Sequence, residues 1–347
     1  MTKKGPHISI SVTTQLKGLA ILLVIVGHLI QRGILEIPYL IWGGQLGVTI
    51  FIILSGYGIT KSYMHNGLDN FFFKRFDKVI FPYFLVTLLW VIIDIFIFEK
   101  EFNQFDIILA LIGLDLNRAI DPSMWYITYS VLWYGMFFLV FSLPIKNSIK
   151  ITILIYFSYI ILFHYPQLEF LIAMSYQFGL YAFMFPMGIF LGLYYDKLVD
   201  KCKKNSAIYI LISVSSLCLL YYFSTITPGI KDLPPYKYHI NNIFWGIGII
   251  GLLVTVGYLG FKSKILTVIG NYSYELYLFE FVFLFKYDVF KYFGSYVGFI
   301  IYLLLLIGLS IALKRILPKI KKIVFSTDDN LIIRRKLELS NEINESK

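Results

Sequence analysis

The sequence predicts an all-α membrane protein, a polytopic bundle of about ten transmembrane helices with both termini cytoplasmic. Three observations predict it. The 347 residues are 58% apolar and only 15% charged, with a mean hydropathy of +0.73. A soluble domain is about 45–50% apolar and about 25% charged, and a chain this apolar needs lipid as part of its solvent. Apolar runs of near-spanning length follow one another almost end to end, and Lys and Arg collect in alternate connecting segments.

A spanning helix needs about 20 largely apolar residues. Ten runs qualify, at 15–31, 41–62, 79–98, 123–143, 149–164, 171–195, 206–224, 240–261, 265–286 and 294–316. The fifth is the shortest. Ile107–Leu116 is too short to span and is interrupted by Asp115, so it reads as interfacial or re-entrant. A cytoplasmic N-terminus places Lys3 and Lys4 inside, then the segments carrying Lys61/Lys74/Arg75/Lys78, Lys146/Lys150, Lys197/Lys201/Lys203/Lys204, Lys262/Lys264 and finally Lys314–Lys322. The segments left outside carry Glu36, the acidic stretch from Glu99 to Asp121, and Glu169. That is the positive-inside pattern at every turn. Residues 1–325 form one membrane-embedded domain, and 326–347 a mixed-charge cytoplasmic polar tail, read as a helix or a loose end.

The formal net charge of +10 follows from those loops beside anionic headgroups, and no nucleic-acid module is present to claim it. Cys202 and Cys218 fall in a Lys-rich loop and an apolar helix, too far apart for a disulfide. After the first apolar run, His28 and Gln31-Arg32 stand where a cleaved signal would carry small residues. No metal is called for.

Ionisable groups inside a membrane are costly, which makes them functional candidates. His28 ends the apolar run of the first helix, and Lys17 lies eleven positions earlier. Three turns separate them, so they share a face about 16 Å apart along the axis. A titratable imidazole in an apolar site suits proton transfer, although an interhelical hydrogen bond is the plainer use of it. In the second helix, the glycines of Gly43–Gly58 permit close backbone approach. At the mouth of the third, Phe71-Phe-Phe-Lys-Arg-Phe-Asp-Lys78 gathers cations. Arg75 and Lys78 there suit either lipid anchoring or the phosphates of a nucleotide-like donor.

Taken together, Lys17-x10-His28, Gly44-x-x-Gly-Val-x-x-Phe-x-x-Leu-Ser-Gly-Tyr57, Arg75-x-x-Lys78 and Pro82-Tyr83 resemble the acyltransferase-3 family of bacterial integral-membrane acyltransferases. Met124-Trp-Tyr126 and Ile269-Gly-Asn-Tyr-Ser-Tyr-Glu-Leu-Tyr-Leu-Phe-Glu280 look like two further landmarks, so the resemblance covers residues 12–316. It implies an acyl-coenzyme A co-substrate, most often acetyl-coenzyme A, and a hydroxyl acceptor on a surface polysaccharide, its lipid-linked precursor, lipopolysaccharide, peptidoglycan or a small metabolite. It also implies residence in the bacterial cytoplasmic membrane. By the same resemblance His28 is the essential His, Lys17 the basic residue before it, and Arg75 and Lys78 the paired basic motif. That motif is usually Arg-x-x-Arg, so Lys78 is a departure. Glu280 is another, standing where the family's pattern ends in His.

A neutral His28 would take the proton of a sugar hydroxyl as the thioester carbonyl is attacked, with a carboxylate orienting the ring. Glu275, Glu280 and Asp94 are the candidates, Glu280 preferred. An acyl-His relay fits the sequence as well. Lys17, Arg75 and Lys78 would hold the donor's phosphates, and Trp125 and Tyr126 would stack on a sugar near the outer interface, where aromatic belts also occur. The rival reading is a polysaccharide transporter or flippase without covalent chemistry. It shares the helices and the aromatic richness, but no internal repeat of the transporter kind is visible.

Overall fold

In a computed structural model of the protein, the described residues are 8–37, 40, 42–114, 120–168, 175–204, 207–208, 210–216, 218, 235–259 and 262–345. They are helical apart from the turns and connecting segments, with no strand among them. Seven helices are long and apolar enough to cross a membrane. A shorter apolar stretch, Ile243–Val256, falls below that length, and the segment from Lys264 to Lys286 is broken into shorter pieces. Of the run expected at 206–224, residues 207–208, 210–216 and 218 are described and helical, and the rest lies outside the described residues. Large apolar side chains such as Leu139, Ile300 and Leu304 are exposed on the outside of the bundle. In lipid such side chains meet their proper solvent. The protein is an all-α, multi-pass membrane protein.

Helix α1 spans Ile10–Gln31, starting earlier than the apolar pattern because Ser9 caps it, its side chain accepting from the Val12 N–H at 3.2 Å. Helix α2 is Gly43–Asn66. The basic cluster expected in a loop before the third span is instead helical: α3, Phe71–Arg75, runs through a π turn at Phe76–Ile80 into α4, Phe81–Phe96. Pro82 explains the wide turn. It has no N–H for the Lys78 carbonyl and its ring would strike it, so the ladder widens and the Phe81 N–H reaches back to Phe76 O. The short α5, Gln104–Leu111, is capped by Asn103 and stops before Gly113 at φ 84°. Asp115 and the rest of the segment expected to end at Leu116 lie outside the described residues. Then come α6 (Trp125–Ser142), α7 (Asn147–Leu168), α8 (Ser175–Tyr181), α9 (Met184–Lys204) and α10 (Pro235–Leu259).

The single helix expected at 265–286 is three pieces: α11 (Lys264–Asn271), α12 (Ser273–Phe281) and a π turn at Val282–Lys286. Gly270-Asn-Tyr-Ser supplies poor helix formers at the break. The last helix, α13, runs Val289–Glu345 with a non-helical residue at Gly294 (φ 70°, ψ 176°) and Pro318 inside it. The backbone of the expected tail from 326 is therefore helical as far as Glu345.

Small residues fix how these elements cross. A Cβ on Gly270 would lie 1.8 Å from the Thr14 carbonyl oxygen, and one on Gly18 2.2 Å from that of Leu266, so α1 and α11 touch backbone to backbone. Gly56 and Gly188 do the same for α2 and α9. The interior divides into two apolar clusters, one mainly on α2, α6 and α9, the other on α1, α4, α12 and α13. Val48, Phe51, Val79 and Tyr126 touch both and mark the seam between them.

The charged side chains sort to the two ends. Lys61 pairs with Asp196, and Lys150 lies over the Tyr63 and Phe141 rings. Lys321 reaches Asp77 at 2.6 Å beside Arg75 and Lys78. The far end holds Arg32–Asp288 and a cluster of Asp94, Lys100 and Lys286.

Candidate active site

His28 sits in the last turn of α1, a position the Ser9 cap and the α1–α11 crossing fix. Its Nδ1 lies 2.9 and 3.0 Å from the two carboxylate oxygens of Glu280, which belongs to the last complete turn of α12. Glu280 is fully buried, whereas the His28 side chain is 24% exposed. A carboxylate accepts, so Nδ1 donates to Glu280, and in the neutral ring Nε2 presents its lone pair. Among the described residues Nε2 makes no hydrogen bond. Phe281 and Phe285 pack their edges around the ring, at 5.4 and 6.0 Å between centroids. This is a histidine fixed in tautomer and orientation, with its basic nitrogen unspent.

The other two candidate carboxylates are engaged elsewhere. Asp94 receives Lys286 at 2.6 Å, Lys100 at 3.2 Å and the Tyr287 hydroxyl at 3.1 Å. Glu275 lies 3.6 Å from Lys314, whose ammonium sits 4.6 Å above the Tyr272 ring.

Below the pair, a cavity of about 410 Å³ occupies the seam between the two half-cores. Its basic end brings together Lys17, Arg75 and Lys78, which come from α1, α3 and the π turn. None of the three has an ion-pair partner among the described residues. The Arg75 guanidinium is held by aromatic faces, 5.5 Å from Phe71 and 5.9 Å from Tyr134, and its buried Nε makes no hydrogen bond. Its donors are thus positioned without being used up. Three unneutralised cations facing one cavity suit an anion with several negative oxygens.

The deep end of the cavity is bounded by Val24, Tyr126 and Tyr277. Val24 precedes His28 by four residues and Tyr277 precedes Glu280 by three, about one helical turn in each case. Tyr277 donates to Ser123 O at 2.7 Å and Tyr274 to Val79 O at 2.6 Å, so α12 is tied to the turn that leads into α6 and to the π turn. Of the two aromatic residues expected to stack on a sugar, whose rings meet edge-on at 6.2 Å, one faces the cavity. Tyr126 lines this cavity. Trp125 does not, and its ring is already stacked on Tyr181 at 5.4 Å and 12°.

A family model described as an acyltransferase domain, that of the acyltransferase-3 family, matches residues 14–315. The chain belongs to the acyltransferase-3 family. It matches no curated protein and no solved structure. Membership makes the protein a membrane acyltransferase, and the matched range contains every residue of the His28–Glu280 pair and of the cavity. For an acyltransferase, an imidazole about one turn beyond one end of a cavity and a cluster of cations at the other is a usable layout. Reading the sequence missed Tyr134, Tyr274, Tyr277 and Ser55 of the wall. A signal existed for two of them: Tyr274 and Tyr277 stand six and three residues before Glu280, on the side of the helix turned towards α6 and the π turn.

Proposed function

We propose that the protein transfers an acetyl group from acetyl-coenzyme A to a hydroxyl of a cell-surface polysaccharide or its lipid-linked precursor, in the bacterial cytoplasmic membrane. The observation that carries this reading is the Glu280-bound His28, with a free Nε2 one helical turn from a cavity whose other end holds Lys17, Arg75 and Lys78. The three cations take the donor's phosphates at the cytoplasmic end, and the extended pantetheine arm runs up the cavity towards Tyr126 and Tyr277. His28 Nε2 accepts the hydroxyl proton while the oxygen attacks the thioester carbonyl. The new C–O bond forms, the C–S bond breaks, and the proton returns from Nε2 to the departing thiolate. Glu280 holds the ring and stabilises the imidazolium in between, a contribution of general-base catalysis worth about 10²–10⁴ in rate.

The test is made on purified, reconstituted protein. Acetyl-coenzyme A should bind, and free thiol should appear when a hydroxyl acceptor is supplied. A folded protein that ignores the thioester would overturn the reading in favour of transport without covalent chemistry.

A further inference from the structure

A second cavity, of about 580 Å³, opens at the same end of the bundle beside the start of α1 and the end of α2. It shares three lining residues with the first: Lys17, Leu54 and Gly58. Its own wall is chemically unlike the tyrosine-lined one. Ile10 and Met64 expose apolar surface, 86% and 53% respectively, and Lys61 and His65 bring basic groups. Lys61 is steadied by Asp196 at 3.2 Å and leans over the Tyr57 ring at 5.8 Å, while the Tyr57 hydroxyl accepts from the Ile8 N–H. Gly58 is exposed between buried neighbours, and a Cβ built on it meets no atom within 4 Å. The shared boundary is therefore open space kept clear by a missing side chain, unlike Gly56 two residues earlier, where a Cβ would strike the Phe185 carbonyl.

Each cavity falls within the roughly 300–1,000 Å³ that accepts a drug-sized ligand. A coenzyme A thioester is larger and has two unlike halves, a thin polar arm ending in the thioester and an adenosine carrying phosphates at both 3′ and 5′ positions. We infer that the two cavities are one bent donor site hinged at Lys17 and Gly58, with the second cavity a subsite for the adenosine 3′,5′-bisphosphate half. This rests on the first cavity being the donor site. The adenine lies on the apolar surface of Ile10 and Met64, the 3′-phosphate meets Lys61 and His65, and the 5′-pyrophosphate turns the corner at Lys17 to meet Arg75 and Lys78. The arm passes Gly58 into the tyrosine-lined chamber.

Gly58→Leu tests it on the full-length protein, because the leucine has room in the fold, favours the helix more than glycine does, and fills only the passage. Binding of coenzyme A and of adenosine 3′,5′-bisphosphate is measured by titration calorimetry. In the wild type both should bind and compete. Gly58→Leu should weaken coenzyme A by at least about tenfold while leaving adenosine 3′,5′-bisphosphate within about twofold, which also shows that the variant is folded. The double change Lys61→Ala with His65→Ala should weaken both ligands by at least about tenfold. A wild type that binds coenzyme A but not adenosine 3′,5′-bisphosphate, or a Gly58→Leu protein with wild-type affinity for coenzyme A, overturns the bent site and leaves the first cavity's role standing. A wild type that binds neither ligand overturns both.

Discussion

At single residues, the chemistry of the site turns on what each side chain is left free to do. Glu280 is enclosed and spends both oxygens on His28, so Glu280→Gln should leave the helix packing intact but disturb the tautomer and the imidazolium. Acyl transfer is expected to fall by at least about a hundredfold, with donor affinity unchanged, as read from steady-state rates beside binding titrations. His28→Ala strips the buried carboxylate of its donor and should also lower stability by about 1–3 kcal/mol, whereas His28→Gln keeps a donor and should cost less. For the cations the expectation is reversed. Arg75→Ala should weaken acetyl-coenzyme A binding with little loss of folded protein, and Lys78→Arg should be tolerated because it restores a fork. Unchanged affinity in Arg75→Ala would reduce that cluster to a topology signal. The sequence placed His28, Lys17, Arg75 and Lys78 by motif and depth. It left three carboxylates open because depth along a helix says nothing about which face meets which neighbour, and Glu280 lies 252 positions from its partner. Trp125 and Tyr126 show the same gap: adjacent on one helix, they point about 100° apart, one into a stacked cluster and one into the cavity.

At the scale of elements, the irregularities do the positioning. The π turn before Pro82 carries Lys78 inside a helix and turns it, with Arg75, towards Lys17. The break at Asn271–Tyr272 sets α12 so that Tyr274, Tyr277 and Glu280 lead from the cavity wall up to the His28 pair. Neither was legible in the hydropathy, because an apolar run records only how far a segment is buried, while a π turn costs one residue and a break costs none of the apolar count. The glycine-rich pattern was legible as close packing, and it now has partners. Gly270→Ala should force α1 and α11 apart and destabilise the protein by about 1–3 kcal/mol. Gly135→Ala, where a Cβ meets nothing within 4 Å, should be neutral or mildly stabilising. Thermal unfolding of the two variants in the same detergent separates the cases, and equal losses would argue against the backbone contact.

At the scale of the whole molecule, the order of charges and apolar runs set out the bundle. The structure shows the same sorting in space, with Lys61, Lys78, Lys150 and Lys321 towards one end and the Asp94 and Asp288 pairs at the other. The orientation in the membrane follows from the positive-inside pattern. Reporter fusions after Lys146, within Lys201–Asn205 and after Lys322 should read cytoplasmic, and one near Glu101 external. One inverted site would change the helix count and move the proposed donor cavity to the wrong side of the membrane. On the proposed function, that orientation opens the cavity to a donor arriving from the cytoplasm and leaves it about one turn short of His28, nearer the outer face. The most direct test of this layout is the O-acetyl content of purified surface polysaccharide from cells expressing wild-type protein or His28→Gln at matched levels. The substitution keeps hydrogen bonding and most of the volume, and it removes the ability to take a proton near neutral pH. Acetylation should fall by at least about a hundredfold with the protein still present in the membrane, and near-normal acetylation would contradict the assignment of His28 as the base.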